Sequence, residues 1–267
     1  MSPVRSRSRW TLKGKSAVVT GGTKGIGAAC VEEFASLGAS IFTCARTETE
    51  LRDAITSWKE RGFEVQGCVA DCSQREDRQR LIEKVDELFH GKLDLLVNNV
   101  GTNIRKPTGE YTDEDYRKIN ETNLQSAFHL CQLSHPLLKA SGNGSVVMNS
   151  SVAGGPLAMM SGALYAMSKG AMNQLTKYLA VEWAADNIRV NAISPWYVDT
   201  PLANQVMRDA EVKQKILSRT PLQRIGQPWE IAANIAFLCM DESGWTTGQI
   251  IHVDGGYSVY GFDPKSS

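Results

Sequence analysis

Seven short apolar runs alternate with longer amphipathic stretches along the whole chain, and few folds accommodate that order. The runs lie at 16–20 (SAVVT), 40–44, 64–69, 93–98 (LDLLVN), 145–149, 189–193 and 249–253. Continuous apolar strands of this kind belong to a parallel sheet covered by helices on both faces. Helix-period stretches separate them at 47–60, 73–89, 112–139, 162–185 and 228–240, and another runs from the glycines after the first strand to Leu37. Ser73 with Glu76, and Thr112 with Asp115, have the spacing of capping boxes opening two of these helices. The expected fold class is α/β, a single doubly wound parallel sheet with helices on both faces. No linker rich in Pro, Ser or charge divides it, so one domain is expected over 12–262, followed by a tail at 263–267. The stretch 196–226 fits no strand and is expected to form a mobile flap over a site.

Composition narrows the function classes. With 42% hydrophobic residues in 267, the chain can fill a core without disulfides or metal. Lys and Arg number 29 against 29 Asp and Glu, so no net charge draws it to nucleic acid or an anionic membrane. Six cysteines form no C-x-x-C pair and no histidine cluster accompanies them, which reads as buried thiols in a reducing compartment and no metal site. No stretch is long and apolar enough to span a membrane. Residues 1–11 open with a basic, serine-rich run and are expected to be a flexible arm on a cytoplasmic protein, with an organelle address as the alternative.

The first strand ends in Thr20-Gly21-Gly22-Thr23-Lys24-Gly25-Ile26-Gly27, and a helix follows at once. Glycines there permit a tight turn, let backbone approach a pyrophosphate and pack the helix on the sheet. The helix N-terminus then presents N–H groups and partial positive charge to phosphate. A strand-to-helix turn alone can require such glycines, but this one follows the first buried strand. The missing G-K-[ST] argues against a nucleotide triphosphatase loop. Where an NAD enzyme carries an acid about twenty residues on, the second strand ends in Arg46. Arg46 and Lys24 together suit the 2′-phosphate of NADP(H), although Glu48 and Glu50 lie close by and both cations also suit a solvated surface.

Chemistry is expected in Tyr165-Ala-Met-Ser-Lys169, after a strand ending Asn149-Ser150-Ser151. Residues four apart share a helical face, and of the seven tyrosines only Tyr165 has a lysine four residues later. An ammonium about 6 Å from the phenol, at an effective dielectric of about 20, supplies about 2.8 kcal/mol, roughly a hundredfold in acidity. A serine hydroxyl at the strand end would hold the substrate oxygen. The bland alternative is a pair on a helix surface.

These pieces together resemble the short-chain dehydrogenase/reductase family over about 12–261. The matching segments are T-G-G-T-K-G-I-G at 20–27, N-N-V-G at 98–101, Asn123, the Ser151, Tyr165 and Lys169 set, and the 195–200 segment. N-N-V-G-T-N-I-R-K-P at 98–107 and the ending T-G-Q-I-I-H-V-D-G-G-Y are similar to the plant tropinone reductase group within it. The resemblance implies NADP(H)-dependent interconversion of a small, cyclic ketone and its secondary alcohol. It makes Tyr165 the general acid/base and Ser151 the carbonyl anchor. Lys169 would tune the phenol and bind the nicotinamide ribose. Asn123 would anchor a water that relays protons. Gly21, Thr23, Lys24, Gly25, Ile26, Gly27 and Arg46 would bind the cofactor's phosphates. Asp71 would meet adenine, Asn98 and Gly101 would form the cofactor floor, and Pro195, Val198 and Thr200 would flank the carboxamide.

Ser151 precedes Tyr165 by fourteen residues, one more than the family usually has. A bulge at Gly154-Gly155 would absorb the extra residue; otherwise Ser151 is displaced and Ser150 replaces it. A catalytically inactive nucleotide-binding or scaffold protein of the same fold is the runner-up. An epimerase or dehydratase acting on a sugar nucleotide would want more substrate-binding chain than 196–226 provides. Met159, Met160, Leu157, Trp196, Tyr197, Leu202 and Met207 are candidates for the pocket wall. A homodimer or homotetramer is expected because 112–139 and 162–185 carry apolar residues on more than one face, including Leu124, Phe128, Leu130, Leu133, Leu175, Leu179, Val181 and Trp183. In the tropinone reductases the position matching Arg105 lines the substrate site. A permanently charged arginine there would repel tropinone's ammonium and favour neutral or anionic ketones, unless Arg105 faces solvent.

Overall fold

The computed structural model describes residues 10–261; the remainder of the arm and the tail lie outside the described residues. The strands are β1 (Ser16–Thr20), β2 (Ser40–Ala45), β3 (Val65–Val69), β4 (Leu95–Asn98), β5 (Gly144–Asn149), β6 (Ile188–Pro195) and β7 (Ile250–Val253). They form one sheet in the order β3-β2-β1-β4-β5-β6-β7, and every pair is parallel. The helices are α1 (Gly25–Ser36), α2 (Glu48–Glu60), α3 (Arg75–Phe89), α4 (Asp113–Asn120), α5 (Ser126–Ser141), α6 (Ala163–Glu182), α7 (Pro201–Met207), α8 (Ala210–Ser218) and α9 (Pro228–Cys239).

Side-chain alternation along the strands builds two cores. Val18, Leu96, Val146 and Val190 face α3, α5 and α6, whereas Ala17, Val19, Leu95, Val97 and Val147 face α1, α2 and α9. Chain direction through the sheet reverses between β1 and β4. Ligands of open α/β sheets bind outside the carboxyl ends of the strands at such a switch point. Among the described residues no helix is long and apolar enough to cross a membrane. No cluster of His, Cys, Asp and Glu among them is placed to hold a metal ion. Thr11 already donates its hydroxyl to Leu37 O at 3.1 Å, and Trp10 lies against Phe237.

Local signals fared unevenly. The Thr112–Asp115 capping box forms and opens α4. The one expected at Ser73 does not. Helix α3 starts after Gln74, and Ser73 instead gives its N–H and hydroxyl to Asp71 Oδ1 at 2.9 and 2.8 Å. The single helix expected over 112–139 is interrupted by a π-helical turn, Glu121–Gln125, between α4 and α5. The irregular stretch 196–226 contains α7 and α8. It is fastened by Trp196, which stacks on Tyr257 at 3.6 Å and donates Nε1–H to Thr220 Oγ1 at 3.0 Å.

After β5 the chain makes one 3-10 turn, Val152–Gly154, directly against α6. A Cβ on Gly154 would stand 2.4 Å from the Lys169 carbonyl carbon and 2.6 Å from Gly170 N. Backbone there cannot yield without moving α6. Gly154→Ala should therefore cost about 1–3 kcal/mol and lower the melting temperature by about 2–4 °C for each kcal/mol. Gly109→Ala, which meets nothing within 4 Å, should stay within about 0.5 kcal/mol. Equal melting temperatures for the two variants would show that Gly154 is not a packing constraint.

Candidate active site

At the switch point the strand ends open into one cavity of about 500 Å³. Its floor is tied together by polar side chains from three strand ends. Thr20 Oγ1 accepts from Asn99 N at 3.0 Å and Val100 N at 3.2 Å. Asn99 Nδ2 donates back to Thr20 O at 2.8 Å, and Asn149 Nδ2 donates to Asn99 Oδ1 at 2.9 Å. The glycine turn is thereby clamped to the ends of β4 and β5. Gly21 and Gly25 take left-handed φ values of +68° and +56°, which glycine adopts without the steric cost of a Cβ. The N-cap of α1, Lys24, makes no side-chain cap bond, and the first turn carries no acid. Its leading N–H groups therefore remain free for an anion.

Ser151, Tyr165 and Lys169 converge on the same cavity. Ser151 Oγ accepts from Ala153 N at 3.1 Å, so the hydroxyl proton remains to donate. Tyr165 and Lys169 stand one turn apart on α6, and Lys169 Nζ is 5.7 Å from the phenol ring centre. Lys169 is buried, and Nζ donates to Asn149 O at 2.7 Å. Burial pushes its pKa down from 10.5 to about 8. Gly101 keeps the space above open, since a Cβ there would lie 3.6 Å from both Lys169 Nζ and Asn123 Oδ1. A nucleotide with its phosphates on the glycine turn and its reactive ring over Gly101 and Lys169 fits this lining.

The family model described as enoyl-(acyl carrier protein) reductase matches residues 21–258. A tropinone reductase homolog of Arabidopsis thaliana is 53% identical over 254 residues, covering 95% of this chain and 96% of its own length. A second Arabidopsis homolog, named chloroplastic, is 50% identical and covers 98% of this chain and 81% of its own length. The gluconate 5-dehydrogenase of Burkholderia cenocepacia, solved with NADP and tartrate, superposes with a TM-score of 0.89 at 30% identity, covering 95% of this chain and 98% of its own. The chain belongs to the short-chain dehydrogenase/reductase family. It is an NAD(P)-dependent oxidoreductase of that family.

Against the family pattern, most of the implied positions line the cavity: the glycine turn from Gly21 to Gly27 apart from Gly22, and Arg46, Asp71, Gly101, Pro195, Val198 and Thr200. Two do not. Asn98 points away from the floor into the α5 side of the sheet, with Nδ2 against Cys131 Sγ at 3.4 Å and Met148 Sδ at 3.5 Å. Strand alternation sends its neighbour Asn99 to the cavity instead. Asn123 is fully buried behind the site. Its Oδ1 accepts from Thr102 N at 2.7 Å, and its Nδ2 donates to Thr102 O at 2.9 Å and Ser168 Oγ at 3.1 Å. These bonds make its side chain a strut between the 102–105 loop and α6.

Ser151 is not displaced. Ser150 donates to Lys169 O at 3.3 Å and is committed to packing. Gly154 is locked against α6, and Ser151 lines the cavity from its place fourteen residues before Tyr165. Lys24 is engaged by Glu50 Oε1 at 2.6 Å. Arg46 forms no ion pair among the described residues. Of the candidate wall residues, Met159, Trp196, Tyr197 and Leu202 line the cavity, whereas Leu157, Met160 and Met207 do not.

The expected depression of the Tyr165 pKa by Lys169 is not found. Burial pushes the phenol above its ordinary 10, opposed by a hydrogen bond from Ser151 and the charge of Arg105. Two titrations are thereby separated. With the roles that the family resemblance implies, ketone reduction needs a protonated phenol and a charged Lys169, and the lysine loses its proton first. The alkaline limb of kcat/KM, which reports the free enzyme, should fall near pH 8 rather than near 10. A plateau extending past pH 9.5 would show that Lys169 holds its proton more tightly than its burial implies.

Proposed function

We propose that this enzyme uses NADPH to interconvert a small cyclic ketone and its secondary alcohol, with Tyr165 as general acid/base. The observation that carries the reading is the convergence of Ser151, Tyr165 and Lys169 at the switch-point cavity. NADPH, when bound, supplies the hydride. Ser151 and Tyr165 would both donate to the carbonyl oxygen, stabilising the charge that develops there. Tyr165 then gives up its proton to the nascent alkoxide. Lys169, anchored on Asn149 O, stabilises the phenolate that this leaves. The apolar walls from Met159, Trp196, Tyr197 and Leu202 suit a compact ring. Six free cysteines, five of them buried, suit a reducing compartment such as the cytoplasm.

The preference for NADPH rests on Arg46, exposed at the end of β2 with no acid in the position that would hold a ribose diol. Lys24 contributes less, because Glu50 competes for it. That exposed pair is worth no more than about 1 kcal/mol, so a phosphate dianion can draw Lys24 away. Arg46→Asp should raise KM for NADPH roughly ten- to hundredfold, the worth of a charge-assisted hydrogen bond, and Lys24→Ala should raise it less. Equal efficiency with NADH in the unmodified enzyme would overturn the assignment.

We also propose a homo-oligomer, dimer or tetramer, paired through α5 and α6. Leu130, Leu179 and Trp183 belong to the protein's own core, so the expectation now rests on fewer residues. Met167, Tyr178 and Val181 are exposed along one side of α6, at 61, 65 and 80%, and Phe128 is exposed on α5. Light scattering at micromolar concentration should give at least twice the chain mass of 29.3 kDa, and Val181→Glu with Tyr178→Glu should shift it towards the monomer. A monomer in the unmodified protein would refute the pairing.

A further inference from the structure

The substrate end of the cavity carries a cation without a counter-ion. Arg105 lines it. Among the described residues its guanidinium forms no ion pair and no hydrogen bond, and its Nε is buried without a partner. The neighbouring Lys106, by contrast, is paired with Asp115 at 2.6 Å. Among the described residues the only acids lining the cavity are Glu50 and Asp71. Glu50 lies on α2 and holds Lys24, while Asp71 follows β3 and holds Ser73. Both belong to the end that receives the adenosine half of a dinucleotide.

The backbone that presents Arg105 is fastened at three successive residues. Asn123 holds both main-chain groups of Thr102. Asn103 Nδ2 donates to Ser161 O at 2.9 Å, and Tyr111 OH donates to Ile104 O at 2.7 Å. Arg105 thus follows a fixed platform. Its charge acts on the phenols of Tyr165 and Tyr197 alike, which places it within reach of the reacting carbonyl's surroundings. Beside it, Ser161 Oγ and Asn103 Oδ1 are also buried without partners. A fork of N–H donors is shaped for a planar oxyanion, and leaving a buried donor unmet is costly.

We infer that Arg105 is a substrate-anchoring residue that takes a carboxylate on the far side of the ring from the reacting carbonyl, with the Ser161 hydroxyl as a second donor. The substrate class is then a cyclic oxo acid and the matching hydroxy acid. This rests on the proposed ketone–alcohol chemistry at Tyr165 and adds to it the group that selects the substrate.

The test compares a cyclohexanone bearing a carboxylate opposite its carbonyl with the same ring bearing a primary carboxamide. With the native enzyme and NADPH, kcat/KM should favour the acid by about ten- to hundredfold, mainly through KM. Arg105→Gln should bring the ratio near unity, and Arg105→Lys should retain part of it. Any effect of Arg105 on Tyr165 acts on both ketones and cancels in the ratio. In parallel, calorimetry of the enzyme–NADP complex should show cyclohexanecarboxylate binding more tightly than cyclohexanecarboxamide, again only while residue 105 is cationic. A native ratio near unity, or one unchanged in Arg105→Gln, overturns the anchor even if both ketones are reduced. If neither ketone is reduced, the proposed reaction fails, and the binding ratio still decides the role of Arg105.

Discussion

A charged amine in the protein interior is the constraint on which the site depends. Lys169 is 3% exposed, and such a group survives only if paired or hydrogen-bonded. Its one described partner is the Asn149 carbonyl, at the carboxyl end of β5. A fall from 10.5 to about 8 corresponds to about 3 kcal/mol of unfavourable burial. The unfolded chain binds the extra proton between these values. The penalty is therefore fully present below pH 8 and is relieved as the pH rises towards 10.5. The fold carries this cost because α6 is held down over its length by Met172, Leu179 and Ala180 in the core. A looser α6 would let Lys169 escape to water, and the ammonium beside the phenol would be lost.

The same strand end also organises the cofactor side. Asn149 uses its carbonyl for Lys169 and its amide for Asn99, and Asn99 in turn grips the glycine turn. Three side chains thus connect α6 to the glycine turn across β5, β4 and β1. Thr200 completes the circuit from the other wall. Its hydroxyl accepts from Ala203 N at 3.3 Å to start α7. A Cβ on Gly25 would come within 3.2 Å of its methyl group. The absent side chain at Gly25 therefore serves the closure of 196–226 against the turn as well as the turn's own conformation.

Strand and helix order were legible because the pattern is repeated: seven apolar runs, each bounded by turn residues, admit little else. The pairing of Tyr165 with Lys169 was legible because a four-residue spacing on a helix is a distance. Decisions between two polar partners were not. Ser73 had both Glu76 and Asp71 within reach, and the two bonds to Asp71 won over a capping box. Asn98 and Asn99 are adjacent and chemically identical, so only the point where β4 ends decides which faces the cavity. The π turn at 121–125 left no mark in an apolar period that continues through it. Electrostatic balances were least legible, because they sum over groups distant in sequence. Tyr165 sits above its ordinary pKa since burial outweighs the nearby donor and cation, and neither weight can be read from residue order.

Unmet hydrogen-bonding capacity is not spread evenly. Among the described residues nine buried side-chain atoms have no partner, and four of them, on Asn103, Arg105, Asn149 and Ser161, belong to residues lining the one cavity described above. Each such atom costs about 1–3 kcal/mol, a cost that a bound group with matching donors and acceptors would relieve. The four lie where Ser151, Tyr165 and Lys169 converge and along the wall that carries Arg105. A substrate that must first satisfy orphaned donors and acceptors is selected by them. On the proposed reading, side-chain polarity along that wall selects the substrate.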